Sequence, residues 1–188
     1  MRMRTAILAL FCTTAAWVAL ADELPRPTPA FTILRSGAPP IQLSQYHGKL
    51  VVLAFIHTTC PHCQALTGTL GPIARDYTPK NVQFVECAFN TNADQLVPQF
   101  IQQFQPAFPV GWSSDPAVRA FLQYSAMDTR MFYVPHMVFL DANGMIRSDY
   151  PGESPFFQNP DTNIRAELDK LLKAGAATAS HATSARKK

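Results

Sequence analysis

Apolar positions along this chain alternate between a strand rhythm and a helix rhythm. Leu50-Val51-Val52-Leu53-Ala54-Phe55-Ile56 is an unbroken apolar run of strand length, which predicts a central strand covered on both faces. Phe31–Leu34, Ile41–Leu43 and Asn81–Phe89 predict further strands. From Pro61, the positions Leu66, Leu70, Ile73 and Tyr77 recur at helical spacing, and Gly71-Pro72 is expected to kink that helix. A second helix is predicted over Asp94–Phe104, burying Leu96, Val97, Phe100, Ile101 and Phe104 along one side. Phe108–Trp112 reads as a short extended piece, and Asp115-Pro116 as the cap and first position of a helix running to Tyr124. Met137–Leu140 and Met145–Ser148 flank Asp141-Ala142-Asn143-Gly144, a hairpin turn. The last helix is predicted over Thr162–Lys173, with Ile164, Leu168, Leu171 and Leu172 toward the sheet. This succession favours an α/β fold around a mixed sheet.

Both ends depart from the pattern. Met1-Arg2-Met3-Arg4, an apolar stretch from Ala6 to Leu20, and Ala19-Leu20-Ala21 before Asp22-Glu23 have the layout of a signal peptide over 1–21. An uncleaved membrane anchor is the alternative, although the stretch is shorter than the roughly 20 residues that a spanning helix needs. Residues 22–30, with Pro25, Pro27 and Pro29, read as a Pro-rich linker, 31–173 as one domain, and 174–188 as a disordered tail. A periplasmic or secreted location follows, where disulfides persist. The net charge of +3 includes Arg2, Arg4, Arg186, Lys187 and Lys188 at the two ends, so it does not point to nucleic acid. A single domain of this size buries a core without a disulfide scaffold, and a monomer is expected.

With Cys12 inside the leader, Cys60, Cys63 and Cys87 remain. Cys60 follows the buried strand and stands at the first turn of a helix, where free N–H groups and the helix dipole favour a thiolate. Pro61 presets the backbone there, and Cys63, one turn on, comes close enough to close a disulfide with Cys60. Cys60 is thus the expected nucleophile and Cys63 the resolving thiol. His62 can donate to the Cys60 sulfur or place positive charge beside it. A structural zinc site would need a second pair of ligands at similar spacing, and the chain has none. Cys87 reads as a small core residue.

The run from Phe31 to Lys173 resembles the exported thioredoxin-like oxidoreductases of the TlpA and ResA type. The resemblance rests on Gly48-Lys49, the strand entering Cys60-Pro61-His62-Cys63, the extra strand and helix before the hairpin, and Val134-Pro135 leading into Met137–Gly144. It implies a three-layer thioredoxin-like fold with the strand–helix insertion of that type. It also implies thiol–disulfide exchange without flavin, haem or metal, a cysteine-bearing exported protein as substrate, and a membrane redox partner. Pro135 is implied to be a cis-proline packed against the disulfide and shaping the substrate groove. Pro61-His62 and Val134 are similar to the oxidising enzyme DsbA, which leans toward oxidant or isomerase chemistry.

Departures are equally specific. Thr59 replaces the family's tryptophan, Ala54 stands where thioredoxin buries a carboxylate, and Leu66 stands where ResA-type enzymes carry a glutamate. Cys63 therefore lacks the usual proton acceptor. Glu86 on the neighbouring strand is a possible substitute, but the expectation is a solvated strand-edge carboxylate. Two other functions compete. Cys60 and Cys63 with His57, His62 or His136 offer ligands for a copper chaperone. A peroxiredoxin would place proline and threonine where this chain has Leu53 and His57.

Overall fold

The computed structural model describes residues 24–125, 127–129 and 131–185, of which 178–185 are described by backbone alone. The leader expected over 1–21 lies outside the described residues. Among the described residues no helix is long and apolar enough to cross a membrane.

The elements run β1 (Arg26–Pro27), β2 (Thr32–Ile33), β3 (Ile41–Gln42), β4 (Leu50–Ile56), α1 (Pro61–Tyr77), β5 (Val82–Ala88), α2 (Ala93–Phe104), β6 (Val110–Trp112), α3 (Asp115–Phe121), β7 (His136–Leu140), β8 (Met145–Tyr150) and α4 (Pro160–Ala185). One mixed sheet has the order β1-β8-β7-β4-β5-β6, in which β4, β5 and β6 run parallel and β7 returns antiparallel to β4. The β2–β3 hairpin joins β6 through a bridge between Leu34 and Trp112. The stretch between β5 and β7, where an extra strand and helix were expected, holds α2, β6 and α3.

The unbroken apolar run is explained by two cores. Leu50, Val52, Ala54 and Ile56 of β4 face a core closed by α1, α2 and α4, while Val51, Leu53 and Phe55 face one closed by α3 and the β2–β3 hairpin. Strand alternation sends successive side chains to opposite faces, so a strand covered on both sides must be apolar throughout.

α1 is continuous through Gly71-Pro72 to Tyr77 and buries Leu66, Leu70, Ile73 and Tyr77, as their spacing predicts. Pro72 forgoes only the N–H donation to the Gly68 carbonyl, and both residues are exposed, where water satisfies that oxygen. On α2, Val97 and Phe100 are buried, but Ile101 is 38% exposed because this helix covers the sheet margin with a narrower stripe. α3 is capped by Ser114, whose hydroxyl accepts from the Ala117 amide, and ends at Phe121 rather than Tyr124. The segment expected as a linker is pinned, since Arg26–Pro27 pairs with Ile146 and Met145 and the Arg26 guanidinium reaches Asp149 at 3.3 Å. An edge position suits Pro27, which has no N–H to donate. The tail expected from 174 is helical to Ala185, because the alanine-rich stretch has high helix propensity without needing a buried face.

Gly111 of β6 lies in close contact with the segment following β2, since a methyl group there would lie 2.2 Å from the Leu34 carbonyl oxygen. Gly111→Ala is expected to cost about 1–3 kcal/mol through overpacking, read as a lowered denaturation midpoint. Gly68→Ala on exposed α1, with nothing within 4 Å, is expected to gain up to about 1 kcal/mol.

Candidate active site

Chain direction at the end of β4 places the two sulfurs. After Ile56 the chain makes a turn closed by the Cys60 amide donating to the His57 carbonyl at 3.1 Å, and Cys60 becomes the N-cap of α1 in extended conformation. Pro61 occupies the first helical position, where its missing N–H costs nothing. Cys60 remains half-buried at the surface, whereas Cys63, one turn further, is 0% exposed in the core beneath α1. Both are free thiols. The half-buried sulfur is the accessible one of the pair, and the fully buried one hydrogen-bonds with it.

The Val134–Pro135 peptide is cis, as expected, and brings the Val134 carbonyl oxygen within 3.9 Å of the Cys60 sulfur. Pro135 is buried at the start of β7 and, with Val134, Leu66, His62 and Phe157, lines a groove of about 370 Å³. His62 is exposed on that groove's wall and makes no hydrogen bond to the Cys60 sulfur. Cys60, Pro61, Cys63 and Pro135 thus converge, and His62 borders them from the solvent side.

The remaining candidates separate. The His57 ring packs edge-on against Phe89 at 4.5 Å, and burial lowers its pKa. His136 turns to the opposite face of the sheet, where its Nε2 pairs with Asp149 at 2.5 Å and its ring stacks on Phe132. Cys87 also faces that second core and stays a core residue. Among the described residues no three His, Cys, Asp or Glu side chains gather as a metal site.

Glu86 is the residue that sequence reasoning misplaced. It is 0% exposed, because β5 is an interior strand whose residue 86 pairs with Ala54 of β4 on one side and Val110 of β6 on the other. Alternation with Phe84 and Ala88 turns it into the core under α1, the layer that holds Cys63. The carboxyl lies 2.9 and 3.1 Å from the Thr67 hydroxyl, which is also 3.1 Å from the Cys63 carbonyl. The signal was available in the parallel pairing: position 86 flanks position 54, where the side chain shrinks to alanine.

Burial dominates the electrostatics of this layer. It pushes the Cys63 thiol far above its ordinary range, opposed by a backbone hydrogen bond with His57 and reinforced by Cys60 and Glu86. It raises Glu86 to about 8, with the Thr67 hydroxyl acting in the opposite direction.

A model of the AhpC/TSA family matches residues 25–149. The thiol-disulfide oxidoreductase ResA of Oceanobacillus iheyensis is 29% identical over 96 residues, covering 51% of this chain and 50% of that protein. The match thus spans about half of that curated relative's length. A putative thiol:disulfide interchange protein DsbE from Chlorobium tepidum superposes with TM-score 0.63 at 17% identity, over 79% of this chain and 99% of its own. A secreted Mycobacterium tuberculosis disulfide oxidoreductase gives TM-score 0.55 at 21% identity, over 73% and 96%. The fold is thioredoxin-like: a central mixed sheet with helices on both faces.

Glu86 carries a stability consequence. Its folded pKa lies above the ordinary 4.5, so between about 4.5 and 8 the folded state holds a proton that the unfolded state has lost. Its contribution is fully present below that window and declines as pH rises through it, by up to about 1.4 kcal/mol per pH unit. Glu86→Gln is expected to flatten this dependence. Urea melts of both proteins from pH 5 to pH 8 check it, and the variant's advantage should grow with pH.

Proposed function

The chain belongs to the AhpC/TSA family, and on that premise we propose that it is a thiol–disulfide oxidoreductase working through a reversible Cys60–Cys63 disulfide. The observation that carries this reading is the asymmetry of the pair, an accessible sulfur at a helix N-cap beside a second sulfur sealed in the core. The relative and the structural neighbours above, described by the same chemistry, support it.

In the reducing direction, the Cys60 thiolate attacks one sulfur of a partner disulfide and expels the other, giving a mixed disulfide. Cys63 then loses its proton and attacks the Cys60 sulfur, and the partner leaves as a dithiol. The oxidising direction reverses each step. Cys60 stands at the α1 N-terminus, where the first-turn N–H groups have no intrahelical partner. The groove of His62, Leu66, Val134, Pro135 and Phe157 accommodates the polypeptide carrying the reacting cysteine. His62 on its wall contributes positive charge when protonated.

The substrate is an exported cysteine-bearing protein, and the electrons come from or go to a membrane redox partner. The signal-like pattern over 1–21 supports the exported location of the substrate. Peroxide chemistry has less support, since Leu53 is buried against the opposite core and the His57 ring lies on Phe89.

Three cysteine variants test the proposal against a disulfide-bonded reporter peptide. Cys60→Ser is expected to lower exchange by roughly 100-fold or more. Cys63→Ser should accumulate a covalent adduct with the peptide at Cys60, visible by non-reducing electrophoresis and mass spectrometry, and Cys87→Ser should match the wild type. Full activity in Cys60→Ser, or an adduct at another sulfur, overturns the reading.

A further inference from the structure

Three of the six large apolar side chains that stand exposed among the described residues belong to one loop, between α3 and β7: Met127 at 90%, Met131 at 68% and Tyr133 at 48%. A lone exposed apolar side chain is ordinary, but three within seven residues of chain are a concentration of the kind that marks an interaction site. The loop leads to Val134, whose carbonyl oxygen lies 3.9 Å from the Cys60 sulfur. Tyr133 adjoins that residue, and Met131 stands three residues before it, within about 10 Å of chain.

We propose, resting on the thiol–disulfide reading above, that this site takes the partner cysteine from an extended, unfolded polypeptide with apolar residues flanking it, which Met131 and Tyr133 receive together with the groove of Leu66, Pro135 and Phe157.

Both side chains are held outward by what lies between and behind them. Burial alternates along the loop, with Met131 and Tyr133 exposed and Phe132 half-buried. The Phe132 ring packs on Tyr124 at 4.7 Å, on Phe89 at 5.4 Å and on His136 at 5.6 Å, with the Arg119 guanidinium 5.0 Å from its centre. Behind the loop, the Tyr133 backbone seats against Gly152, where a methyl group would lie 2.7 Å from the Tyr133 carbonyl carbon. An apolar surface pinned in this way is in place before a partner arrives, so little ordering cost opposes binding.

The make-up of this surface selects the class of partner. Of the residues lining the groove only His62 and Glu153 can carry charge, so apolar contact supplies most of the recognition. A folded protein keeps most of its large apolar side chains inside, whereas an extended segment can lay those on both sides of its cysteine against the groove and the loop at once. The unbranched, polarisable side chain of Met131 repacks against differing neighbours, which suits a range of sequences rather than one fixed partner surface. Such contacts leave the exchange itself as described above and act on how tightly the segment is held beside Cys60.

The test compares two cysteine peptides of equal length and charge, each capped on its sulfur by 2-nitro-5-thiobenzoate, one with leucine and phenylalanine flanking the cysteine and the other with serine and glutamine. Attack by the reduced full chain on the peptide sulfur forms the mixed disulfide and expels the coloured nitrothiolate, which gives a rate constant for each peptide, divided by that peptide's rate with reduced glutathione. The wild type should favour the apolar peptide by roughly 10-fold. The double variant Met131→Ser with Tyr133→Ser should bring this ratio below about 3-fold. Ile101→Ser, which removes an exposed apolar side chain from the last turn of α2, should keep the wild-type ratio. A wild-type ratio near one overturns the proposal, and so does a double variant that retains the wild-type ratio or an Ile101→Ser variant that loses it. If neither peptide releases nitrothiolate from the wild type, the disulfide reading itself falls.

Discussion

The parallel pairing of β4 with β5 is the constraint on which the rest of the site depends. It sets Leu50 opposite Val82 and carries the register to Ala54 opposite Glu86 and Ile56 opposite Ala88. Both strands therefore end together at one sheet margin, and the chain leaving β4 enters α1 at Cys60. α1 then packs back across both strands, so its first turn covers Cys63 and its second places Thr67 over Glu86. One register thus determines that one sulfur is accessible, the other dry, and a carboxyl lies beneath the helix that holds both.

Long periodic segments were legible without a structure. Leu50–Ile56 forms β4 at its predicted bounds, the hairpin around Asp141–Gly144 forms as expected, and the cis peptide before Pro135 agrees with what the family resemblance implied. Local patterns were less reliable where tertiary context competed. Arg26–Pro27 looked like a free tether because its pairing with β8 depends on a partner more than a hundred residues away. The tail from 174 looked disordered because it lacks an apolar face, while its alanines favour helix for a reason that periodicity does not detect.

Within the site, the sequence motif and the family resemblance identified Cys60, Pro61, Cys63 and Pro135 as neighbours, and the structure brings them together. Glu86 was misread because a glutamate in a strand is assigned by default to a solvated edge. Its true position follows from β6 flanking β5 on the far side, as the pairing of Glu86 with Val110 shows, together with the small Ala54 beside it on β4. His136 was equally hard to place, since a side chain next to Pro135 belongs to the groove or to the opposite face according to one step of strand alternation. Alternation decides for the opposite face, and Asp149 and Phe132 then occupy its ring.

A fully buried carboxyl is an expensive residue to keep, and the manner of its burial limits what it can be for. An ionised group in this layer would face a desolvation penalty of several kcal/mol, with no cation among the described residues to offset it. A neutral acid bonded to Thr67 faces far less, because its polar atoms are partnered. The fold therefore tolerates Glu86 at neutral pH in its protonated form. A glutamine at 86 would keep the packing and the hydrogen bond to Thr67 with no proton to lose, so the loss of stability that accompanies rising pH would go with the acid.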